Sequence, residues 1–325
     1  MALDPQVGDI LRRVARAQHP EFWQLSVSEA RRSYERAAKV LDIAPRQVAR
    51  VDDFSIRGLE RPIAVRVYTP RTGSELLPVV VFFHGGGFTI GSLDTHDAVC
   101  RMLSIDADCL VLSVDYRLAP ENPFPAAAED AIEALGWVWG NARRLGGDQR
   151  RIAVAGDSAG GTLAAVCAIE ARDKNMSLAL QLLIYPGVSA HQDSASHRRL
   201  AEGYLLDAKT IQWFFSQYLI GDADRTDWRF SPLEAVPAVD LEGVAPALIM
   251  VAGFDPLHDE GVAYAERLKS DGVPVELIDY HGMVHGFFQF AGALDVAKAA
   301  HRDACLAIRR AFDTAPSIAQ APHAG

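Results

Sequence analysis

Six short runs rich in branched apolar residues, each followed by a stretch of helical pattern, constrain this chain more than any other feature. They occupy residues 78–83, 110–114, 151–155, 181–185, 247–251 and 275–278. Continuous apolar runs of this length suit strands buried on both faces, because alternate side chains point to opposite sides and both sides must then be dry. The intervening segments are long enough for right-handed helical crossovers, so the pattern predicts an α/β fold with a largely parallel sheet. Ahead of these runs, residues 48–56 and 62–68 alternate apolar and polar positions, which predicts an antiparallel pair at the sheet edge.

Two segments fall outside this alternation. In residues 1–45, Val7, Ile10, Leu11 and Val14 recur at helical spacing with Arg12, Arg13 and Arg16 elsewhere on the turn. Such a stripe packs on the rest of the protein more often than on a membrane surface. Residues 188–245 separate two core strands and carry Tyr204-Leu205-Leu206 and Trp213-Phe214-Phe215, which reads as an inserted helical layer. The expected organisation is therefore helices over 1–45, a catalytic core over 46–187 and 246–313, an insertion over 188–245 and a flexible Ala- and Pro-rich tail over 314–325. A chain of 325 residues, 49% hydrophobic and 23% charged, is large enough for that core.

Charge and cysteine usage exclude some functions. A net charge of −10 argues against nucleic-acid binding, which needs clustered Lys and Arg. Cys100, Cys109, Cys167 and Cys305 show no metal-ligand spacing, and Cys167 reads as a buried free thiol. With no secretory signal and no apolar run long enough to span a bilayer, a reduced, cytoplasmic protein without a membrane anchor is expected.

Chemistry enters with Gly156-Asp157-Ser158-Ala159-Gly160-Gly161, placed between a strand and a helical run. This is the strand–turn–helix setting of a nucleophile elbow, where the turn is too tight for bulky neighbours and lifts the Ser158 hydroxyl above the sheet at a helix start. His84-Gly85-Gly86-Gly87-Phe88 directly follows another strand. Consecutive glycines let backbone N–H groups face a developing oxyanion, and no Gly-Lys-Ser or Gly-Lys-Thr follows to suggest a phosphate loop. His84 itself is expected to brace the loop.

A triad on this fold runs Ser, then acid, then His. Asp255 lies at the carboxyl end of the strand at 247–251, where α/β sites form. Asp259 is its rival, although Pro256 can start a helix that carries Asp259 away. His285 lies in a loop expected over 281–287, and spacing leaves His281 as the local alternative.

With these motifs in place, the chain resembles the bacterial members of the hormone-sensitive lipase family of esterases along nearly its whole length. The matching stretches include Asp115-Tyr116-Arg117-Leu118-Ala119-Pro120-Glu121, Phe124-Pro125-Ala126-Ala127, Asp255-Pro256-Leu257-His258-Asp259-Glu260-Gly261 and His285-Gly286-Phe287, besides the two glycine motifs above. The resemblance implies an α/β-hydrolase fold with a central sheet of about eight strands under a helical cap made by residues 1–45 and 188–245. It implies a triad of Ser158, Asp255 and His285, and an oxyanion hole from the N–H groups of Gly86, Gly87 and Ala159. It settles both local choices, towards Asp255 and His285.

The expected activity is hydrolysis of short- to medium-chain acyl esters by a serine carboxylesterase, with no metal or organic cofactor. Tyr185, Leu206, Trp213 and Phe214, with Phe22 and Trp23, are the candidate pocket residues. Phe287 and Phe288 are expected to pack beside the histidine. A lipase, lactonase or amidase would use the same triad; a ligand receptor on a disabled scaffold would usually lack one of its members. A homodimer through an edge strand or surface helices is compatible with such a sheet.

Overall fold

The computed structural model describes residues 2–234 and 240–315. Its strands are β1 (Arg50–Arg57), β2 (Pro62–Thr69), β3 (Leu77–Phe83), β4 (Leu110–Asp115), β5 (Gly147–Asp157), β6 (Leu180–Ile184), β7 (Ala247–Phe254) and β8 (Val275–Val284). They form one sheet in the order β1-β2-β4-β3-β5-β6-β7-β8. The β1–β2 and β2–β4 pairings are antiparallel, and every other pairing is parallel. The α/β class and the antiparallel edge pair expected from the sequence are both present.

Alternation along β3 explains why its run is apolar throughout. Val79, Val81 and Phe83 face one side, in a core with Ala131 and Leu135 of α4 (Ala126–Asn141), Leu163 of α5 (Ala159–Asp173) and Tyr264 and Leu268 of α8 (His258–Ser270). Val80 and Phe82 face the other side, with Val99 and Leu103 of α3 (Asp97–Ala107) and Ala304 and Ile308 of α9 (Asp295–Thr314). Phe82 is wholly buried, so truncation to Ala would cost about 3–5 kcal/mol in lost transfer energy and cavity.

The amino-terminal stripe does pack inward. Helix α1 (Pro5–Ala17) buries Val7 and Ile10 in the second core, although Val14 remains 45% exposed. Ser26 caps α2 (Val27–Leu41) in a reciprocal capping box with Glu29. Between β6 and β7 lie α6 (Ala195–Arg199) and α7 (Ala208–Tyr218). Aromatic contacts hold α7 to the core: Phe88 stacks on Tyr218 at 4.2 Å, and Phe230 lies 5.2 Å from Phe215.

Several boundaries differ from expectation, among them the end of β7 at Phe254 instead of 251. β5 starts at Gly147, before the expected 151, because its first residue pairs with Leu77 across a register shift. β8 continues to Val284 instead of ending at 278, since β7 pairs with it as far as Phe254. The segment 281–287 is therefore mostly strand, not loop, as far as Val284. Thr314, expected in the tail, closes α9, and residues 316–325 of that tail lie outside the described residues. Among the described residues, no helix is long and apolar enough to cross a membrane.

Candidate active site

Ser158 sits between β5 and α5 with φ 54° and ψ −120°, a left-handed backbone that an L-residue rarely adopts. The surroundings enforce it. The Ser158 N–H donates to the Ile184 carbonyl at 2.8 Å, and its own carbonyl accepts from Thr162 N–H at 3.1 Å. A Cβ at Gly160 would overlap the Phe83 carbonyl oxygen, so the elbow and the end of β3 can approach only through a glycine.

His285 follows the end of β8, and its Nε2 lies 2.9 Å from Ser158 Oγ. Its Nδ1 lies 2.7 Å from Asp255 Oδ2. Asp255 follows β7 and is fully buried, and its other oxygen accepts the Leu257 N–H at 2.9 Å. Each oxygen of the buried carboxylate thus has a partner, which fixes its orientation. The rivals point elsewhere. Asp259 accepts the Ser196 N–H at 2.8 Å and lies 2.9 Å from His258 Nδ1. His281 is exposed on the outer strand β8, paired with Asp279 at 3.0 Å.

The loop after β3 is bound to the elbow. Gly85 N–H donates to Asp157 Oδ1 at 2.9 Å, and Asp157 directly precedes the serine. Gly86 and Gly87 have φ of 121° and 56°. Among the described residues, none accepts a hydrogen bond from the N–H of either glycine. Ala159 is the first residue of α5, where a backbone N–H has no partner within the helix.

His84 behaves as the bracing residue expected. It is fully buried, its ring stacks on Tyr116 at 4.3 Å, and its carbonyl accepts the Tyr116 hydroxyl at 2.7 Å. Burial, aided by the neighbouring His96, holds its pKa down to about 3, so the ring stays neutral. Asp157 shows the opposite balance: burial is the largest single effect and favours its neutral form, but the neighbouring histidines, His96 at 3.1 Å foremost with His84 and His285, together lower its pKa.

The candidate pocket residues divide. Phe214 packs on Gly87, with Phe22 at 6.4 Å and Trp213 at 5.2 Å, which forms an aromatic layer at the glycine loop. Trp23 lies under the Lys209 ammonium, 5.0 Å from its ring centre, and Leu206 is buried. Tyr185 is a core residue beneath the histidine, with ring centres 4.8 Å apart. Phe287 and Phe288 are buried beside that histidine, as expected.

Several residues that shape this region escaped the sequence reading. His96 and Gln289 lie behind the elbow, and Arg31 and Tyr34 of α2 reach towards it. Glu260 was quoted only as part of a motif. A buried residue of α8, it accepts the Val188 N–H at 2.7 Å and so holds the start of the segment leading to α6.

This sheet order, with a strained serine after β5 and a His–Asp pair after β8 and β7, is the architecture of an α/β hydrolase. A family model described as alpha/beta hydrolase fold matches residues 80–289, and the chain belongs to that family. The chain is 45% identical to the esterase LipI of Mycobacterium tuberculosis over 80% of its own length and 82% of the relative's. It is 37% identical to an ethyl acetate hydrolase of Pseudomonas putida, covering 91% of this chain and 95% of that one. Among solved structures, a hyperthermophilic esterase from the archaeon Pyrobaculum calidifontis superposes with a TM-score of 0.89 at 40% identity, over 95% of this chain and 99% of that chain.

Proposed function

We propose that the protein is a serine carboxylesterase that hydrolyses short- to medium-chain acyl esters. The observation that carries this reading is the continuous contact from Ser158 Oγ through the His285 ring to Asp255 Oδ2, at 2.9 and 2.7 Å. In the proposed cycle, His285 Nε2 takes the hydroxyl proton as Oγ attacks the ester carbonyl. Asp255 holds the ring in the tautomer that leaves Nε2 free and stabilises the imidazolium. The N–H groups of Gly86, Gly87 and Ala159 receive the oxyanion, and the alcohol departs with the proton from His285. Water then repeats the sequence on the acyl-enzyme, releasing the acid and restoring Ser158.

The relative named esterase supports an ester substrate, and the one named ethyl acetate hydrolase supports an ester of small size. The aromatic layer of Phe22, Trp213 and Phe214 supports a short acyl site roofed by residues 1–45 and 188–245, which we read as a cap. The four cysteines are free and buried, in keeping with a reducing, cytoplasmic setting. Homodimerisation through an edge strand of the sheet, β1 or β8, or through surface helices belongs to the same proposal.

The test is hydrolysis of p-nitrophenyl esters from acetate to palmitate, beside Ser158→Ala. The wild type should peak at short to medium chains, and the variant should lose about 10⁶ in turnover. Variant activity within about tenfold of wild type would remove Ser158 as nucleophile, given the size of that expected loss. A maximum at the longest chains would indicate a lipase.

A further inference from the structure

Two side chains of α2 converge on the glycine loop from different directions, and neither belongs to the triad or the oxyanion donors. Arg31 donates from Nε to the Thr89 carbonyl at 2.9 Å and from Nη2 to the Ala119 carbonyl at 2.9 Å. Its guanidinium is held in place by a two-pronged pair with Glu121, at 2.9 and 2.7 Å. Thr89 is two residues beyond Gly87, and its N–H donates to the Gly86 carbonyl at 3.0 Å. Arg31 therefore ties down the far end of the glycine turn.

Tyr34, one helical turn on, acts on the near end through a buried relay. Its hydroxyl donates to Gln289 Oε1 at 2.7 Å. The Gln289 amide nitrogen reaches the Thr95 carbonyl at 3.3 Å and His96 Nε2 at 2.8 Å. That ring nitrogen, an acceptor here, is also met by the Gly85 N–H at 3.4 Å, which donates to Asp157 Oδ1 at 2.9 Å as well. Gln289 is 5% exposed and His96 is fully buried, so water does not compete for these contacts.

We infer that Arg31 and Tyr34 are positioning residues that preorganise the oxyanion loop from the amino-terminal helix. An oxyanion hole works because its donors are already aimed when charge develops, and a glycine-rich turn has no side chains of its own with which to fix that aim. Here the fixing comes from outside, at both ends of the turn, from one helix. Docking of α2 is thus a condition for full activity, separate from any contact of that helix with substrate. The inference rests on the proposed roles of Ser158, Gly86 and Gly87.

The test compares Tyr34→Phe, Arg31→Gln, Arg31→Lys and the double variant Arg31→Gln/Tyr34→Phe with wild type. Turnover is counted per site titrated with an organophosphonate, so unfolded protein does not contribute. Tyr34→Phe and Arg31→Gln should each lower kcat about tenfold with KM little changed, short of the 10²–10³ lost when an oxyanion donor itself is removed. Affinity for a trifluoromethyl ketone, which forms the tetrahedral adduct, should fall by the same factor, while inhibition by the product carboxylic acid stays unchanged. Arg31→Lys, which retains a donor for one carbonyl, should fall between Arg31→Gln and wild type. A lower melting temperature with kcat per titrated site unchanged would overturn the inference, because the contacts would then be structural only. Wild-type protein that turns over esters but takes no phosphonate on Ser158 would overturn the functional reading as well.

Discussion

The ring of Phe214, carried by α7, lies directly on Gly87, so closely that a Cβ at the glycine would overlap the ring. One contact thus joins the segment between β6 and β7 to the loop proposed to bind the oxyanion. On the proposed reading, that ring borders the acyl or alcohol site.

Phe214→Ala should therefore move the acyl-chain optimum to longer esters. Each methylene newly buried is worth about 0.8 kcal/mol, roughly fourfold in kcat/KM, so the ratio of decanoate to butyrate hydrolysis should rise several-fold. An unchanged chain-length profile would place the acyl group elsewhere.

The two acidic candidates can be separated in one experiment. Asp255→Asn should lower kcat by about 10⁴ with little change in KM, because the amide favours the wrong histidine tautomer. Asp259→Asn, whose partners are Ser196 and His258, should keep kcat near the wild-type value. A reversed result would reassign the acid.

Arg117 and Asp130 form a buried pair between the end of β4 and α4. Asp130 accepts the Arg117 backbone N–H at 2.8 Å and its Nε at 2.9 Å, and the two side chains are 7% and 2% exposed. Asp130→Ala would leave the guanidinium without its best-buried partner. Equilibrium urea unfolding should show a loss of about 3–5 kcal/mol. A loss under about 1 kcal/mol, the scale of an exposed pair, would mean that Glu60 and Glu129 suffice.

Asp42, just after α2, gives a pH-dependent prediction. Burial raises its pKa from 3.8 to about 6; the Ile43 N–H and His96 partly offset this, and Asp97 adds to it. A carboxyl whose pKa is raised by folding is no burden below its unfolded value, and destabilises progressively as pH rises through its folded value. Asp42→Asn keeps an oxygen for the Ile43 N–H, so it should raise stability by about 1–2 kcal/mol at pH 8 and change little at pH 4. Equal effects at the two pH values in urea unfolding would contradict the assignment.

The elements legible in the sequence were those with a local cause. The run at 78–83 is apolar at every position because β3 is covered on both faces, and Gly160 stands where the elbow touches Phe83. The end of β8 was not legible. His281 and Gly282 look like loop residues, and only pairing along β7 makes them strand. Tyr185 gave no sign of whether it would line a pocket or sit beneath His285, since a large aromatic side chain suits either place.

By itself, the sequence determined the α/β alternation, the sharp turn at Ser158 and the run of glycines after β3, because periodicity and backbone freedom are properties of neighbouring residues. Tertiary structure alone decided which distant groups meet. His285 reaches a serine 127 residues away, and Tyr34 bonds to Gln289 across 255. Arg31 on a polar helix face looks like any solvated charge until the fold sets two carbonyl oxygens beside it. Hydrogen bonds depend on distance and direction in space, and no local pattern encodes those between segments so far apart.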